Sequence, residues 1–217
     1  MTAKRKRSYQ SPVRDAAARQ TRIAIVAAAT RLFVEQGFAG SSFEAVAREA
    51  GVARPTVVAA FGTKGALLGR VLDQALAGDD EEGFVRDRPW YQPVWEATTG
   101  QDTLTAYARV CVIIGARSGG VVEALHRAAD STQELEAMWD RWNTTRRGGA
   151  RRLLDHPPLK ADLRPDLDIE AAADVLTMLN NPELHYVYVT KGHWEEQAFE
   201  VWLADAMHRL ILTPAGP

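Results

Sequence analysis

Cysteine is nearly missing from this 217-residue chain, in which Cys111 stands alone. An internal disulfide is therefore excluded, as is a zinc site built on a cysteine cluster. A chain without disulfides is compatible with a reducing cytosol, and a cytoplasmic location is the expectation. No apolar run approaches the roughly 18 residues that a membrane-spanning helix needs. The N-terminus is basic, but no apolar segment follows it, so it does not read as a secretory signal and no membrane partner is expected. Gly-rich phosphate loops, a nucleophile elbow and an HExxH motif are all missing, which leaves catalysis with little support. His185 and His193 stand eight apart around Gly192, and no histidine pair has metal-ligand spacing with a suitable partner set, so neither a metal nor a cofactor is expected.

What is present is ordinary in amount and uneven in placement. Apolar residues make up 46% and charged residues 25%, as in a globular protein able to bury a substantial core. Net charge is −2, yet residues 1–66 hold 11 Lys/Arg against 4 Asp/Glu, a balance of +7, and the remainder carries −9. Only the N-terminal third is suited to a polyanion. Solvated surface charge is the alternative, and it is weakened because the basic excess coincides with a helix-turn-helix pattern.

That pattern lies in Ser41 to Lys64, SSFEAVAREAGVARPTVVAAFGTK. Ser41 and Glu44 have the spacing of a capping box at a helix start. Phe43, Val46, Ala47 and Ala50 recur at helical spacing and make one buried face. Gly51 follows where the helix must stop. Arg54-Pro55 opens a second short helix, with proline in the first turn, where its missing N–H costs nothing. This helix runs to Phe61 and ends at Gly62. Helix, tight turn, helix is the layout of a DNA-reading helix-turn-helix, whose second helix enters the major groove.

Over roughly Arg22 to Leu68 the chain resembles the TetR family of bacterial transcriptional repressors. Gly37-Phe38 matches the Gly-aromatic pair that closes the family's first helix, Ser41 the cap of the second, Val46-Ala47 its buried pair, and Ala50-Gly51-Val52 its turn. Thr56, Phe61 and Lys64 match the recognition helix and the start of the fourth helix. The chain departs from the pattern at Ala53, where the family usually has a capping Ser or Thr, and at Val58, often a phosphate-reaching Tyr. These departures bear on affinity more than on fold. The resemblance implies an all-α protein with an N-terminal three-helix DNA-binding domain and a C-terminal helical bundle that binds a small molecule and dimerises. Domains are expected at 1–13 (a disordered basic arm), 14–66 (helix-turn-helix) and 67–217 (regulation and dimerisation).

The pattern stays helical along the chain. Helix 1 is expected from Arg14 to Gln36, with Ile23, Val26, Thr30, Phe33 and Val34 on one face. Helix 4 starts near Thr63 and runs through Leu76, and the polar stretch from Gly78 to Gly83 reads as its end and as a domain seam. Further helices are expected over Asp102–Ser118, broken by Gly119-Gly120, then Val121–Ala129. Ser131–Leu154 follows, with Ser131 and Glu134 as a capping box. Asp166–Thr190 is split near Pro182, and Trp194–Leu212 comes last.

DNA contact is expected from Arg54, Pro55 and Thr56 at the start of the recognition helix. Arg54, its only long donor, either reads a guanine or contacts a phosphate. Ser42 and Lys64 read as phosphate clamps. Lys4, Arg5, Lys6 and Arg7 either follow the DNA backbone or form a solubilising tail. Because one such unit has a small footprint, a homodimer on a near-palindromic double-stranded site is expected. Leu176, Leu179, Trp202, Leu203, Met207 and Leu210 are placed at its interface, with intramolecular core as the alternative. Aromatic residues are concentrated outside the N-terminal unit. Trp95, Tyr107, Cys111, Trp139, Trp142, Met178 and Tyr186, with His126 and His185 as polar groups, either line a pocket for a small-molecule effector or fill the core. By resemblance, such a ligand would shift helix 4 and change the separation of the two recognition helices. The competing readings are an enzyme, or a helical interaction module that does not bind DNA.

Overall fold

The computed structural model describes residues 12–81 and 83–214. Every regular element among the described residues is helical, and β-type pairing is limited to one isolated bridge between Leu163 and Leu212. The protein is all-α. It divides into two compact units, one closing at Leu68 and the other opening at Gly69, so the division falls within a helix and the 78–83 loop lies inside the second unit.

The first unit comprises α1 (Pro12–Gly40), α2 (Phe43–Glu49), α3 (Arg54–Phe61) and the start of α4 (Lys64–Ala77). Lys4, Arg5, Lys6 and Arg7 lie outside the described residues, and helix is already under way at Pro12, two residues before the expected start. In α1 the buried face is Ile25, Val26, Ala28, Ala29, Leu32 and Phe33. Ile23 and Thr30 are only half-buried and Val34 is exposed, which corrects the expected stripe. Thr30 has no need of the core, because its hydroxyl donates to the Val26 carbonyl at 2.8 Å. By length and hydropathy alone, residues 14–40 would also pass for a membrane span, which no continuous apolar run had suggested. In the fold, its apolar side instead packs into the first unit.

Gly37, at φ 72° and ψ 171°, breaks α1 in a conformation that few side chains tolerate. Lys64 then ties the segments beyond the break together. Its Nζ donates to the carbonyls of Phe38 at 2.7 Å and Ser41 at 2.9 Å, and lies 4.1 Å above the Phe38 ring. The Phe38 ring in turn packs 5.8 Å from Phe33.

In the second unit, α5 (Gln92–Glu96), α6 (Gly100–Ala128), α7 (Gln133–Leu154), α8 (Pro157–Ala161), α9 (Ile169–Leu179), α10 (Pro182–His185) and α11 (Glu196–Ile211) surround one core. Leu104, Ala108 and Val112 of α6 meet Leu153 and Leu154 of α7, Leu176 of α9, and Phe199, Leu203 and Met207 of α11. The expected break at Gly119-Gly120 does not occur, and α6 runs through it. Gly115 and Gly119 lie one turn apart and admit α10. A Cβ at Gly115 would sit 2.5 Å from that of His185, and one at Gly119 would sit 2.8 Å from the Pro182 carbonyl oxygen.

Both capping boxes are displaced by one residue. Ser42, not Ser41, caps α2 and accepts from Ala45 N at 3.1 Å, while the Ser41 hydroxyl donates back to the Gly37 carbonyl at 2.8 Å. Thr132, not Ser131, caps α7. In each case the cap is the residue with extended backbone, which an N-cap requires.

The role of Lys64 is testable. Lys64→Met keeps the stem and removes two charge-assisted hydrogen bonds, so the first unit is expected to lose about 1–3 kcal/mol of stability. This would be read as faster amide exchange over residues 37–47. Unchanged exchange would mean that water serves those carbonyls equally well.

Candidate functional site

The recognition element is built from short-range constraints. Gly51, at φ 68°, turns the chain after α2, and Val52 N donates to the Ala47 carbonyl at 2.9 Å. Ala53 at the N-cap offers no side-chain bond, so α3 starts on its backbone and on Pro55 alone. Gly62, at φ 70°, ends it. Within α3 only Val57 is buried. Arg54, Pro55, Thr56, Val58 and Ala59 are all exposed.

The long donor on this face is engaged. Arg54 forms an ion pair with Glu44 of α2, and both side chains are more than half exposed. Glu44 is held below the usual carboxylate range by a hydrogen bond from its own backbone N–H, with Arg54 and Ser42 adding to the effect. Ser42, expected as a phosphate clamp, is exposed and also caps α2. Lys64, the other expected clamp, spends its ammonium inside the unit, and burial lowers its pKa.

The second unit contains a cavity of about 260 Å³. Tyr91 stacks on Trp95 with ring centroids 5.3 Å apart and meets Tyr107 edge-on at 6.4 Å. The Trp95 indole N–H donates to the Arg86 carbonyl at 3.1 Å, and Asn180 Nδ2 donates to the Tyr107 hydroxyl at 2.8 Å. Burial raises the pKa of Tyr91, Tyr107 and Cys111, so all three are neutral at ordinary pH.

Of the nine expected pocket residues, Trp95, Tyr107, Cys111 and Trp142 line this cavity. The other five lie elsewhere. His126 stacks on Trp139 at 4.3 Å and pairs with Glu183 at 2.8 Å. Met178 is 65% exposed. His185 is buried against Gly115 with Nε2 3.3 Å from Glu196, and Tyr186 is buried under Lys191. Sequence reasoning missed Tyr91, Arg146 and Asn180, which line the same cavity. Trp142, Thr145, Arg146 and Gly149 share one face of α7, a spacing that could have exposed Arg146.

No metal-ligand set is legible in the sequence, but the fold brings Glu123, His126 and Glu183 together, with ligand atoms within 4.8 Å of one another. Arg127 already pairs with Glu123 at 3.0 Å. The expected interface residues also divide. Leu176, Leu203 and Met207 point into the subunit's own core, whereas Trp202 and Leu210 are 39% and 45% exposed and Leu179 is half-buried. Val201 and Met178 extend the exposed apolar set.

Residues 25–71 match the family described as bacterial regulatory proteins, tetR family. This match spans the N-terminal segment of the chain, from within α1 to within α4. A Bacillus subtilis relative, the uncharacterized HTH-type transcriptional regulator YdeS, is 27% identical over 157 residues, covering 72% of this chain and 74% of that protein. The fold is shared with NalD, the secondary repressor of the MexAB-OprM multidrug efflux pump in Pseudomonas aeruginosa. The TM-score is 0.65 at 22% identity, over 91% of this chain and 98% of that one. It is shared equally with SmeT, solved as a triclosan complex, with a TM-score of 0.66 at 19% identity over 89% and 92% of the two chains. These likenesses establish the fold of the chain and place the family match on its N-terminal helices.

Two substitutions probe the recognition face. Arg54→Ala is expected to lose roughly 1–3 kcal/mol at one base pair per half-site and to relax preference there. Equal losses on every sequence would assign Arg54 to a phosphate. Glu44→Gln frees Arg54 and removes a negative charge, so binding is expected to tighten roughly two- to fivefold at low salt. Unchanged affinity in a gel-shift titration would show that the pair places no restraint on Arg54.

Proposed function

We propose that this protein is a TetR-type DNA-binding transcriptional regulator, a cytoplasmic repressor that binds a near-palindromic operator as a homodimer and responds to a small hydrophobic effector. Residues 14–66 form the DNA-reading part in this reading, and residues 67–217 the regulatory and dimerising part. The observation that carries it is the outward face of α3. Arg54, Pro55 and Thr56 stand free of the core at the start of a helix anchored by Val57 alone. A helix presented in this way suits the major groove, and the basic balance of residues 1–66 supplies the sequence-independent attraction.

The dimer reading rests on Trp202 and Leu210 with Met178 and Val201, large apolar groups left exposed on α9 and α11. Leu176, Leu203 and Met207 are not part of it, because they are spent within the subunit. The effector reading rests on the cavity and on its position in a helical bundle, and SmeT's triclosan complex supports it. An effector acts only if it binds the DNA-competent and DNA-incompetent states with different affinity.

Selection of duplex DNA from a random pool at near-physiological salt tests the central reading. The expected product is a palindrome with half-sites about one helical turn apart. Binding without enrichment that vanishes as salt rises would leave only nonspecific attraction, and the interaction-module reading would replace this one. For the interface, Trp202→Glu with Leu210→Glu is expected to give a folded monomer by sedimentation at micromolar concentration. A monomeric wild type at that concentration would overturn the assignment.

A further inference from the structure

Three arginines and no carboxylate line the cavity of the second unit: Arg86, Arg146 and Arg152. Arg146 is the one placed to act on a ligand. Its Nε and Nη1 are closed to water and have no acceptor, while Nη2 donates to Asn143 Oδ1 at 3.2 Å. One turn earlier on α7, the Trp142 indole N–H is also buried without an acceptor, and its ring lies 5.7 Å from the Arg146 guanidinium. Burial works against the charge of Arg146. The acidic group that favours this charge is Glu183, which lies outside the lining and already accepts from Asn181 at 3.1 Å and pairs with His126 at 2.8 Å.

Buried donors without acceptors are rare in folded proteins, and a guanidinium among them calls for an anion. Beside the three arginines, Thr145 and Asn180, most of the lining is aromatic or aliphatic, with Trp142 one turn from Arg146 and Tyr91 stacked on Trp95. A volume of about 260 Å³ is near the lower end for small-molecule sites, which suits one or two rings. We infer that the cavity binds a small aromatic carboxylate, with its ring against Tyr91 and Trp95 and its carboxylate accepting from Arg146 and from Trp142 Nε1. This inference rests on the reading of that cavity as the effector site and gives the effector a chemical class. A neutral hydrophobic ligand of the same size would leave both donors unpartnered.

Calorimetry on the full chain, without DNA, tests it. The probes are benzoate, 2-naphthoate and biphenyl-4-carboxylate, each beside its neutral primary amide. At least one acid is expected to bind about tenfold or more tightly than its amide, as a charge-assisted hydrogen bond to a buried guanidinium implies. Arg146→Met is expected to erase that preference while amide binding persists. The ligand-free Arg146→Met variant is expected to melt at the wild-type temperature or above, because a buried charge without an ionic partner has gone. Arg152→Met should keep the preference.

Several results would overturn the inference. They are equal binding of acid and amide to the wild type, no binding of any of the three acids, or equal loss of acid and amide in Arg146→Met with a lower melting temperature. Loss of the preference in Arg152→Met instead would overturn the assignment to Arg146. The DNA selection separates this from the broader reading. A recovered operator without carboxylate binding leaves the regulator standing and removes this ligand class. Carboxylate binding without an operator does the reverse.

Discussion

Lys64 donates from one ammonium to the carbonyls of Phe38 and Ser41, which joins the end of α1, the entry to α2 and the start of α4 at one point. Gly37 breaks the helical run of α1, and the carbonyls beyond it take donors from outside the helix, Gly37 from the Ser41 hydroxyl and Phe38 from Ser41 N and Lys64. One cation from the first residue of α4 serves that end and the entry to α2 together. The aromatic ring beneath it fixes the approach, because Phe38 lies against Phe33 in the core of α1. The recognition helix gains most from this arrangement. With eight residues and one buried side chain, α3 is far below the roughly 12–15 residues at which an isolated helix becomes even marginal. It is helical because α2 and α4 are held on either side of it in sequence. The two positive-φ glycines at 51 and 62 then set how it enters and leaves.

In the second unit the corresponding constraint is steric. Gly115 and Gly119 remove two side chains from the middle of α6, and α10 closes directly on the bared backbone. His185 and Tyr186 fill that approach, which is why neither reaches the cavity. Asn180 and Pro182, at the start of the same segment, form part of the cavity wall instead. The close packing and the void are two consequences of one placement. The His185 and Tyr186 side chains meet glycine, while Asn180 donates to the Tyr107 hydroxyl of α6 and joins Pro182 in the cavity lining.

The first unit was legible because its signals are local. A glycine at a turn, a proline in a first turn and a buried Val-Ala pair each act within a few residues, and all fall where the spacing places them. The capping boxes failed by one residue each for an equally local reason. Two hydroxyl residues are adjacent at both sites, and spacing to the following Glu cannot tell which has the extended backbone. Gly119-Gly120 misled because a glycine that breaks a helix and one that admits a neighbour are the same letter. The stripes on α9 and α11 hid a further distinction. They are broad enough to serve two surfaces, and only the fold assigns Leu176, Leu203 and Met207 to the core and Trp202 and Leu210 to the outside. The cavity's aromatic residues were half legible, since any of them suited either core or pocket. Among its polar residues, Arg146 was open to the spacing along α7, whereas Asn180 joins the lining only through tertiary contact.

The recognition face itself carries few donors, and that limits how the protein distinguishes one sequence from another. Ala53, Val58, Ala59 and Ala60 cannot hydrogen-bond a base, which leaves Arg54 and Thr56 among the side chains of α3 and its cap. A good bidentate base contact is worth roughly 1–3 kcal/mol of discrimination. Doubled over two half-sites of the proposed dimer, Arg54 would supply roughly 2–6 of the 4–10 kcal/mol that separate specific from nonspecific binding. The pair with Glu44 must also open before Arg54 reaches DNA, which subtracts a little from that figure. The short side chains act in the opposite sense, since in the proposed complex they would let the helix axis approach the groove floor, with the exposed Val58 and Ala59 facing apolar base edges. In the proposed complex, discrimination on this face would therefore lean on shape: close apolar fit, the spacing of two half-sites, and how readily the DNA deforms to meet both.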